Sequence, residues 1–284
     1  MERAGQAEAP RPRMGSRYYD SGQQRAGKVN ALFSRIAPRY DLLNDFQSLG
    51  LHRYWKRRVI QLAGARPGLR ALDICCGTGD LALALARCGA ETVGLDFSEQ
   101  MLELAGHRRP EGEVRGRKPG LTPQPGKPMR RAARSPHFVR ADAQRLPFAD
   151  DSFDLVTVGY GLRNLANWES GLREMQRVAK PGGRLVALDF GKPANPLWRG
   201  VYFGYLGLFV PLLGRVLGGS ASAYAYILES LRHYPAPHDL AARMRALGLA
   251  KVRVVNLLGG VMAIHYGEKT LFWGREDLLL QAWK

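Results

Sequence analysis

Ala71-Leu72-Asp73-Ile74-Cys75-Cys76-Gly77-Thr78-Gly79-Asp80 takes an apolar run into a turn of small residues, and the amphipathic run Leu81 to Arg87 follows it. That order reads as strand, tight loop and helix. Glycine in such a loop lets backbone approach a ligand and takes positive φ without steric cost. A second short apolar run, Thr92-Val93-Gly94-Leu95, stops at Asp96. A carboxylate at the tip of the second strand of such a unit can hold the two hydroxyls of a ribose. The unit therefore reads as a nucleoside-binding half-site.

The loop also narrows the choice of nucleoside. A dinucleotide fingerprint would read Gly-x-Gly-x-x-Gly, but here Cys75 and Cys76 stand before Gly77-Thr78-Gly79. Asp73 on the strand end would repel a pyrophosphate and suits a cationic or zwitterionic ligand. S-adenosylmethionine carries both a sulfonium and an ammonium. Asp-x-x-x-Gly-x-Gly followed by Asp96 resembles the first two motifs of class I methyltransferases. The bland alternative is an ordinary strand–turn–helix corner.

The chain has 284 residues, 45% of them hydrophobic, enough for one large domain with a substantial core. Its net charge of +17 suits nucleic acid, anionic membrane or acidic ligands. Part of that charge is local, and the rest is more evenly spread. Between Gly106 and Pro136, Arg108, Arg109, Arg115, Arg117, Lys118, Lys127, Arg130, Arg131 and Arg134 face only Glu111 and Glu113. Cys75, Cys76 and Cys88 have no CxxC spacing, so neither a disulfide framework nor a metal site is expected, and a reducing, cytoplasmic setting is. Met1 to Lys28 is polar, without the apolar run of a secretory leader. Gly200 to Gly214 is apolar but shorter than the ~20 residues a bilayer span needs.

Along the chain, residues 1–28 read as a disordered tail, 29–268 as the folded domain and 269–284 as a C-terminal tail. Helical patterns over 29–66 precede the first strand as a substrate-side cap would. Strands are expected near 69–74, 92–95, 137–140, 153–158 and 183–189, with helices near 80–88, 98–105 and 169–178. This alternation predicts a parallel sheet with right-handed crossovers. Residues 106–136 interrupt it with a Pro/Gly/Arg-rich stretch lacking apolar period, expected to be a disordered insertion. A helix over 238–247 and strands over 251–258 and 261–266, joined by Gly259-Gly260, close the pattern with a hairpin.

Three further stretches carry a resemblance. They are Tyr40-Asp41-Leu42-Leu43-Asn44-Asp45-Phe46 through Trp55-Lys56; Gly161-Leu162-Arg163-Asn164-Leu165 with Arg177-Val178-Ala179-Lys180-Pro181-Gly182-Gly183; and Glu229-Ser230-Leu231-Arg232-His233-Tyr234-Pro235. Together they closely resemble the ubiquinone/menaquinone biosynthesis C-methyltransferase family, from about Lys28 to Lys269. The Cys75-Cys76-Gly77-Thr78-Gly79 loop and Gly94-Leu95-Asp96-Phe97-Ser98 resemble members serving menaquinone alone. The resemblance implies a class I S-adenosylmethionine-dependent fold: an α/β, Rossmann-like, mostly parallel seven-stranded sheet with a C-terminal antiparallel hairpin and a helical cap. It implies S-adenosylmethionine as cofactor and a polyprenylated demethylmenaquinol as acceptor, or the corresponding ubiquinone precursor. Cofactor contacts carry over to Thr78, Asp96, Asp142 and Ala143, beside Asp73, Gly77 and Gly79 of the loop. Many members have Asn where Asp142 stands, and some have Ser where Gly159 stands.

Carbon is a poor nucleophile, but a quinol that loses a hydroxyl proton pushes electron density onto its ring carbon. Alignment, exclusion of water and help with the proton are then the tasks. Arg163 and Asn164 follow the fourth strand, where an acceptor would sit. A guanidinium there can stabilise phenolate charge, while its permanent protonation makes it a poor base; a water oriented by the two residues is a candidate proton acceptor. Each candidate has two readings: Arg163 as catalytic or as an ion pair with a surface carboxylate, Tyr160 as pocket wall or core, His52 and His265 as bases or structural hydrogen-bonders, and Arg232 with Ser230 as binders of a quinol oxygen or as a helix cap. The stripe Tyr202, Phe203, Tyr205, Phe209 and Leu213 suits a core lid or an isoprenoid groove.

A nucleic-acid methyltransferase is the rival that the charge suggests. Gly159-Tyr160-Gly161-Leu162 lacks the Asn/Asp-Pro-Pro-Tyr type of loop that grips a flipped base, so no nucleic-acid partner is expected. A non-catalytic lipid-binding protein is a second rival, opposed by the intact Gly77-Thr78-Gly79 and Asp96. The basic surface fits peripheral contact with anionic lipid at the inner face of a cell membrane. A homo-oligomer is compatible with the sequence.

Overall fold

The computed structural model describes residues 48–108, 135–209 and 221–271, with residues 27, 29, 31, 33, 34, 37, 44 and 45. The expected N-terminal tail up to residue 26 and the bulk of the basic insertion, 109–134, lie outside the described residues, as does Leu213.

Helix α1 (Leu51–Ala63) leads into β1 (Arg70–Ile74), α2 (Asp80–Arg87), β2 (Glu91–Asp96), α3 (Glu99–His107), β3 (His137–Arg140) and β4 (Phe153–Gly159). A 3-10 turn at Leu162–Asn164 precedes α4 (Trp168–Val178) and β5 (Ala179–Phe190). Then come α5 (Pro196–Gly204), a π-helical turn (Tyr205–Phe209), α6 (Ala221–His233), α7 (Pro237–Ala246), β6 (Leu249–Leu257) and β7 (Met262–Lys269). The seven strands form one sheet in the order β3-β2-β1-β4-β5-β7-β6, parallel from β3 to β5, with β7 antiparallel to both β5 and β6. The class I fold and its closing hairpin are as the sequence predicts. The tail boundary is not. Lys269 belongs to β7, its Nζ donates to the Ala179 carbonyl at 2.9 Å, and Thr270 N donates to the Gly248 carbonyl at 3.2 Å.

Period-two patterning sorts the strand side chains. Leu72, Ile74, Val156, Val158, Leu185 and Ala187 face α4 and α7 through Leu172, Met175, Leu240 and Met244. Ala71, Leu155, Val186 and Leu188 face α1 and α2 through Trp55, Val59, Leu81 and Leu85. Central strands covered on both faces read as near-continuous apolar runs, as these do. Helix starts follow local chemistry: the side chains of Ser98, Asn167 and Asn195 accept from Met101 N, Ser170 N and Trp198 N. The strand order reverses direction between β1 and β4. Ligands of open α/β sheets bind outside the carboxyl ends of strands at such a point.

The insertion boundary also shifts. His107 closes α3, and Arg108 Nη1 donates to Asp80 Oδ1 at 2.6 Å, so the near edge of the basic stretch is part of the fold. Asp80 also accepts from Lys56 Nζ of α1 at 2.5 Å. The first turn after the glycine loop is thereby tied to both the cap and α3.

Candidate active site

A cleft open to solvent lies over the carboxyl ends of β1, β2, β3 and β4. Gly77, Asp96, Asp142, Ala143 and Asn164 line it, so five residues singled out from sequence converge. Gly159, Tyr160 and Gly161 form its β4 side.

Asp96 is held from both sides. Its Oδ2 accepts from Gly77 N at 2.8 Å and its Oδ1 from Ser98 N at 2.9 Å. Each carboxylate oxygen has two acceptor sites, so capacity remains for two hydroxyls in the cleft. Burial raises the Asp96 pKa, and the backbone donors oppose that rise. Gly77 has φ 54° with open space where a Cβ would stand. A ligand can therefore approach the backbone there. Asp142 Oδ1 accepts from Gln144 N at 2.9 Å, and the carboxylate still faces the cleft, where an exocyclic amine could donate to it. These features fit the adenosine end of S-adenosylmethionine.

The other sequence candidates stand one layer back. Asp73, Thr78, Gly79 and Arg163 are not among the residues lining the cleft. Asp73 and Thr157 are partners in the β1–β4 register, and the Thr157 hydroxyl donates to Asp73 Oδ1 at 2.7 Å. Burial pushes the Asp73 carboxyl up to about 7, against the lowering effect of Thr157. Desolvation thus leaves the cation-attracting charge expected there only about half present at pH 7. Thr78 is buried, and Gly79 at φ 84° caps α2 while a Cβ there would stand 3.0 Å from Phe138.

Arg163 is buried, which removes the surface-ion-pair reading. Its Nε lies 3.6 Å from Asp189 Oδ1, its backbone N donates to Asp189 Oδ2 at 3.2 Å, and its guanidinium sits 4.8 Å over the Phe190 ring. Its Nη1 donates to the Tyr160 carbonyl at 2.6 Å, which Asn164 Nδ2 also reaches at 2.9 Å. Tyr160 has φ 62°, a left-handed conformation costly for a tyrosine, and this double clamp holds it. Asn164 Oδ1 accepts from Arg163 Nη1 at 3.2 Å and from the buried Tyr226 hydroxyl of α6 at 2.9 Å. The Asn164 amide is therefore fixed where the residue lines the cleft.

Tyr160 both walls the cleft and packs against Phe190, with ring centroids 5.9 Å apart. His52 is structural, its Nδ1 3.0 Å from Ser48 Oγ. His265 is structural too: Nε2 lies 2.7 Å from the Pro237 carbonyl, and burial lowers its pKa to about 4. Ser230 is buried in α6, Arg232 is exposed in its last turn, and neither lines the cleft. A Cβ at Gly159 would stand 2.8 Å from Leu81 Cδ1, so glycine lets β4 and the Leu81 side chain of α2 pack closely here.

Val29 and Phe33, from the stretch read as a substrate-side cap, line the cleft, while sequence reasoning missed the apolar walls Phe97, Met101 and Leu165. Phe97 and Ser98 follow Asp96 directly, a signal that was available. Phe33 meets Tyr226 edge-on at 6.3 Å, from the far side of most of the fold's sequence, and no local pattern shows that. Cys75 lines the cleft at φ 52°, and burial raises its thiol pKa well above the usual range, which disfavours the thiolate.

Comparison with known proteins agrees with this geometry. The chain is 42% identical over 249 residues to the ubiquinone/menaquinone biosynthesis C-methyltransferase UbiE of Ectopseudomonas mendocina, covering 87% of this chain and 90% of that one. It is 41% identical over 252 residues to the demethylmenaquinone methyltransferase of Desulfitobacterium hafniense, covering 88% and 92%. Among solved structures, a SAM-dependent methyltransferase of Thermotoga maritima shares the fold at 18% identity and a TM-score of 0.57, covering 85% of this chain and 100% of that one. With the family model matching residues 20–269, the chain belongs to the ubiE/COQ5 methyltransferase family and is an S-adenosylmethionine-dependent C-methyltransferase.

Proposed function

We propose that this enzyme methylates the ring carbon of a polyprenylated demethylmenaquinol to give menaquinol. What supports this is that the ribose-type carboxylate of Asp96 and the oriented amide of Asn164 face one cleft with apolar walls at Phe33, Phe97 and Leu165. When bound, S-adenosylmethionine supplies an electrophilic methyl group carried on a sulfonium. Gly77, Asp96, Asp142 and Ala143 would hold its nucleoside end, and Asp73, Thr78 and Gly79 would shape the loop from behind. Asn164 Nδ2 can donate to a quinol oxygen and favour its deprotonated form. Arg163 acts one layer back, as a positioning group that fixes the Tyr160 carbonyl and the Asn164 amide and adds positive potential. A water held at this wall would take the proton. The apolar walls exclude bulk water while the ring carbon attacks in line.

The similarity to the Ectopseudomonas mendocina relative favours a second reading, in which the acceptor is a ubiquinone precursor. Either acceptor is a membrane lipid, which fits a cytoplasmic enzyme touching the inner face of an anionic membrane. Mass spectrometry of quinones from cells lacking this protein separates the readings. Accumulated demethylmenaquinone supports the first and an accumulated ubiquinone precursor the second; unchanged quinones sink both.

A further inference from the structure

We infer that the outer face of α5, together with the tip of the β6–β7 connection, is a docking surface for an anionic lipid bilayer. This rests on the membrane-resident acceptor proposed above. Leu197 is 80% exposed, Val201 55% and Leu208 of the following π-helical turn 77%, while Leu258 at the β6–β7 tip is 51% exposed. Leu197 and Val201 are one helical turn apart, so they share a face. A cluster of large aliphatic side chains held in water has no role in the core and marks an interaction site.

Three observations select a bilayer as the occupant. Trp198 stands at the seam, half-exposed, with its indole Nε1 donating to the Leu258 carbonyl at 3.0 Å and its ring resting against Gly259. An indole with one polar anchor and an exposed apolar body is suited to the headgroup level of a membrane. Charge matches as well. No carboxylate occurs between Asp189 and Glu229, nor between Asp239 and Glu268, while Arg199 is exposed beside Trp198. The face is also continuous with the site. The opposite side of α5 buries Tyr202, which with Leu206 packs against Phe190, and Phe190 touches the Tyr160 ring that walls the cleft. Bilayer and cleft are then separated by a thin aromatic layer, which gives a lipid-borne ring a short path.

The test is flotation of the full chain with vesicles, without cofactor or quinol. Wild-type protein should float with phosphatidylcholine vesicles containing phosphatidylglycerol, and less with pure phosphatidylcholine. Leu197→Glu/Val201→Glu should weaken partitioning by about tenfold or more. Arg199→Ala should weaken it by about fivefold on anionic vesicles alone, equivalent to ~1 kcal/mol for one surface cation. These residues are exposed and outside the cleft, so thermal stability and turnover on a soluble quinol analogue should match wild type. Absence of wild-type flotation, or unchanged flotation of the double variant, overturns the assignment. So does a dimer that the double variant splits with lipid binding unchanged, since the face would then belong to a second copy. Failed turnover of wild type on quinols, with flotation intact, would instead count against the proposed reaction.

Discussion

Asp96 ties the glycine loop to the second strand and offers its remaining acceptor sites to the cleft. Asp96→Ala should weaken S-adenosylmethionine binding by ~1.5–3 kcal/mol, the range for hydrogen bonds to a charged group. Calorimetry giving wild-type affinity would refute the ribose role. Two buried titrating groups pull stability in opposite directions. The folded Asp73 pKa of about 7 lies above its ordinary 3.8, so the folded chain keeps a proton that the unfolded chain releases. That contribution is full below pH ~3.8 and lost as pH rises toward 7, up to ~4 kcal/mol. The folded His265 pKa of about 4 lies below 6.5, so its contribution is full above pH ~6.5 and lost as pH falls toward 4, up to ~3 kcal/mol. Relative to wild type, Asp73→Asn should gain stability as pH rises from about 4 to 7, and His265→Gln as pH falls from about 6.5 to 4. Urea unfolding across that range reads both, and profiles parallel to wild type would contradict them. For Arg163, Ala leaves Asp189 buried without its cation, and ~3–5 kcal/mol of stability should go. Turnover of the folded fraction should fall by about tenfold or more, equivalent to ~1.4 kcal/mol, as the Tyr160 carbonyl and the Asn164 amide lose a partner. Lysine should restore stability more than turnover, because a single ammonium cannot reach Tyr160 and Asn164, as Nη1 does, while also facing Asp189, as Nε does. Full turnover in Arg163→Lys would reduce the residue to its ion pair.

At the scale of elements, the site is where α6 meets the β4 tip. Tyr226 projects from α6 onto Asn164 Oδ1, and its ring meets Phe33 of the cap. One side chain thus couples the substrate-side cover to the group that faces the acceptor. Tyr226→Phe keeps the ring contact and removes the hydrogen bond. Stability should drop by about 1 kcal/mol. If the bond orients Asn164, kcat on a soluble quinol analogue should fall about tenfold, equivalent to ~1.4 kcal/mol, with cofactor affinity unchanged. Unchanged kcat beside the stability loss would make the contact merely structural.

At the scale of the whole molecule, the sheet and its covering helices account for both cores, and α3 passes to β3 through the basic stretch. That stretch offers few large apolar residues, and loop length costs little stability. Replacing residues 109–134 by a short Gly/Ser linker, with Arg108 kept for its bond to Asp80, should leave the melting temperature and methyl transfer close to wild type. Loss of turnover in a folded variant would assign the stretch to the site.

Sequence alone determined what short-range chemistry encodes. The glycine loop, the strand-end Asp96 and the alternation of apolar periods specify the class I unit, because each depends on backbone dihedrals and side-chain periods within about ten residues. The long motifs around Arg163 and Tyr40 carried the family. Tertiary structure decided which of those residues face the ligand. Arg163 and Asn164 are adjacent in sequence and equal as candidates, yet Asp189 and Phe190 on β5 draw the guanidinium inward, while Tyr226 on α6 fixes the amide against the cleft. Asp73 reads as a charge in sequence, but the β1–β4 register and α2 bury it and push its pKa up. Burial and long-range pairing are set by strands and helices far apart in the chain, and no local pattern encodes them.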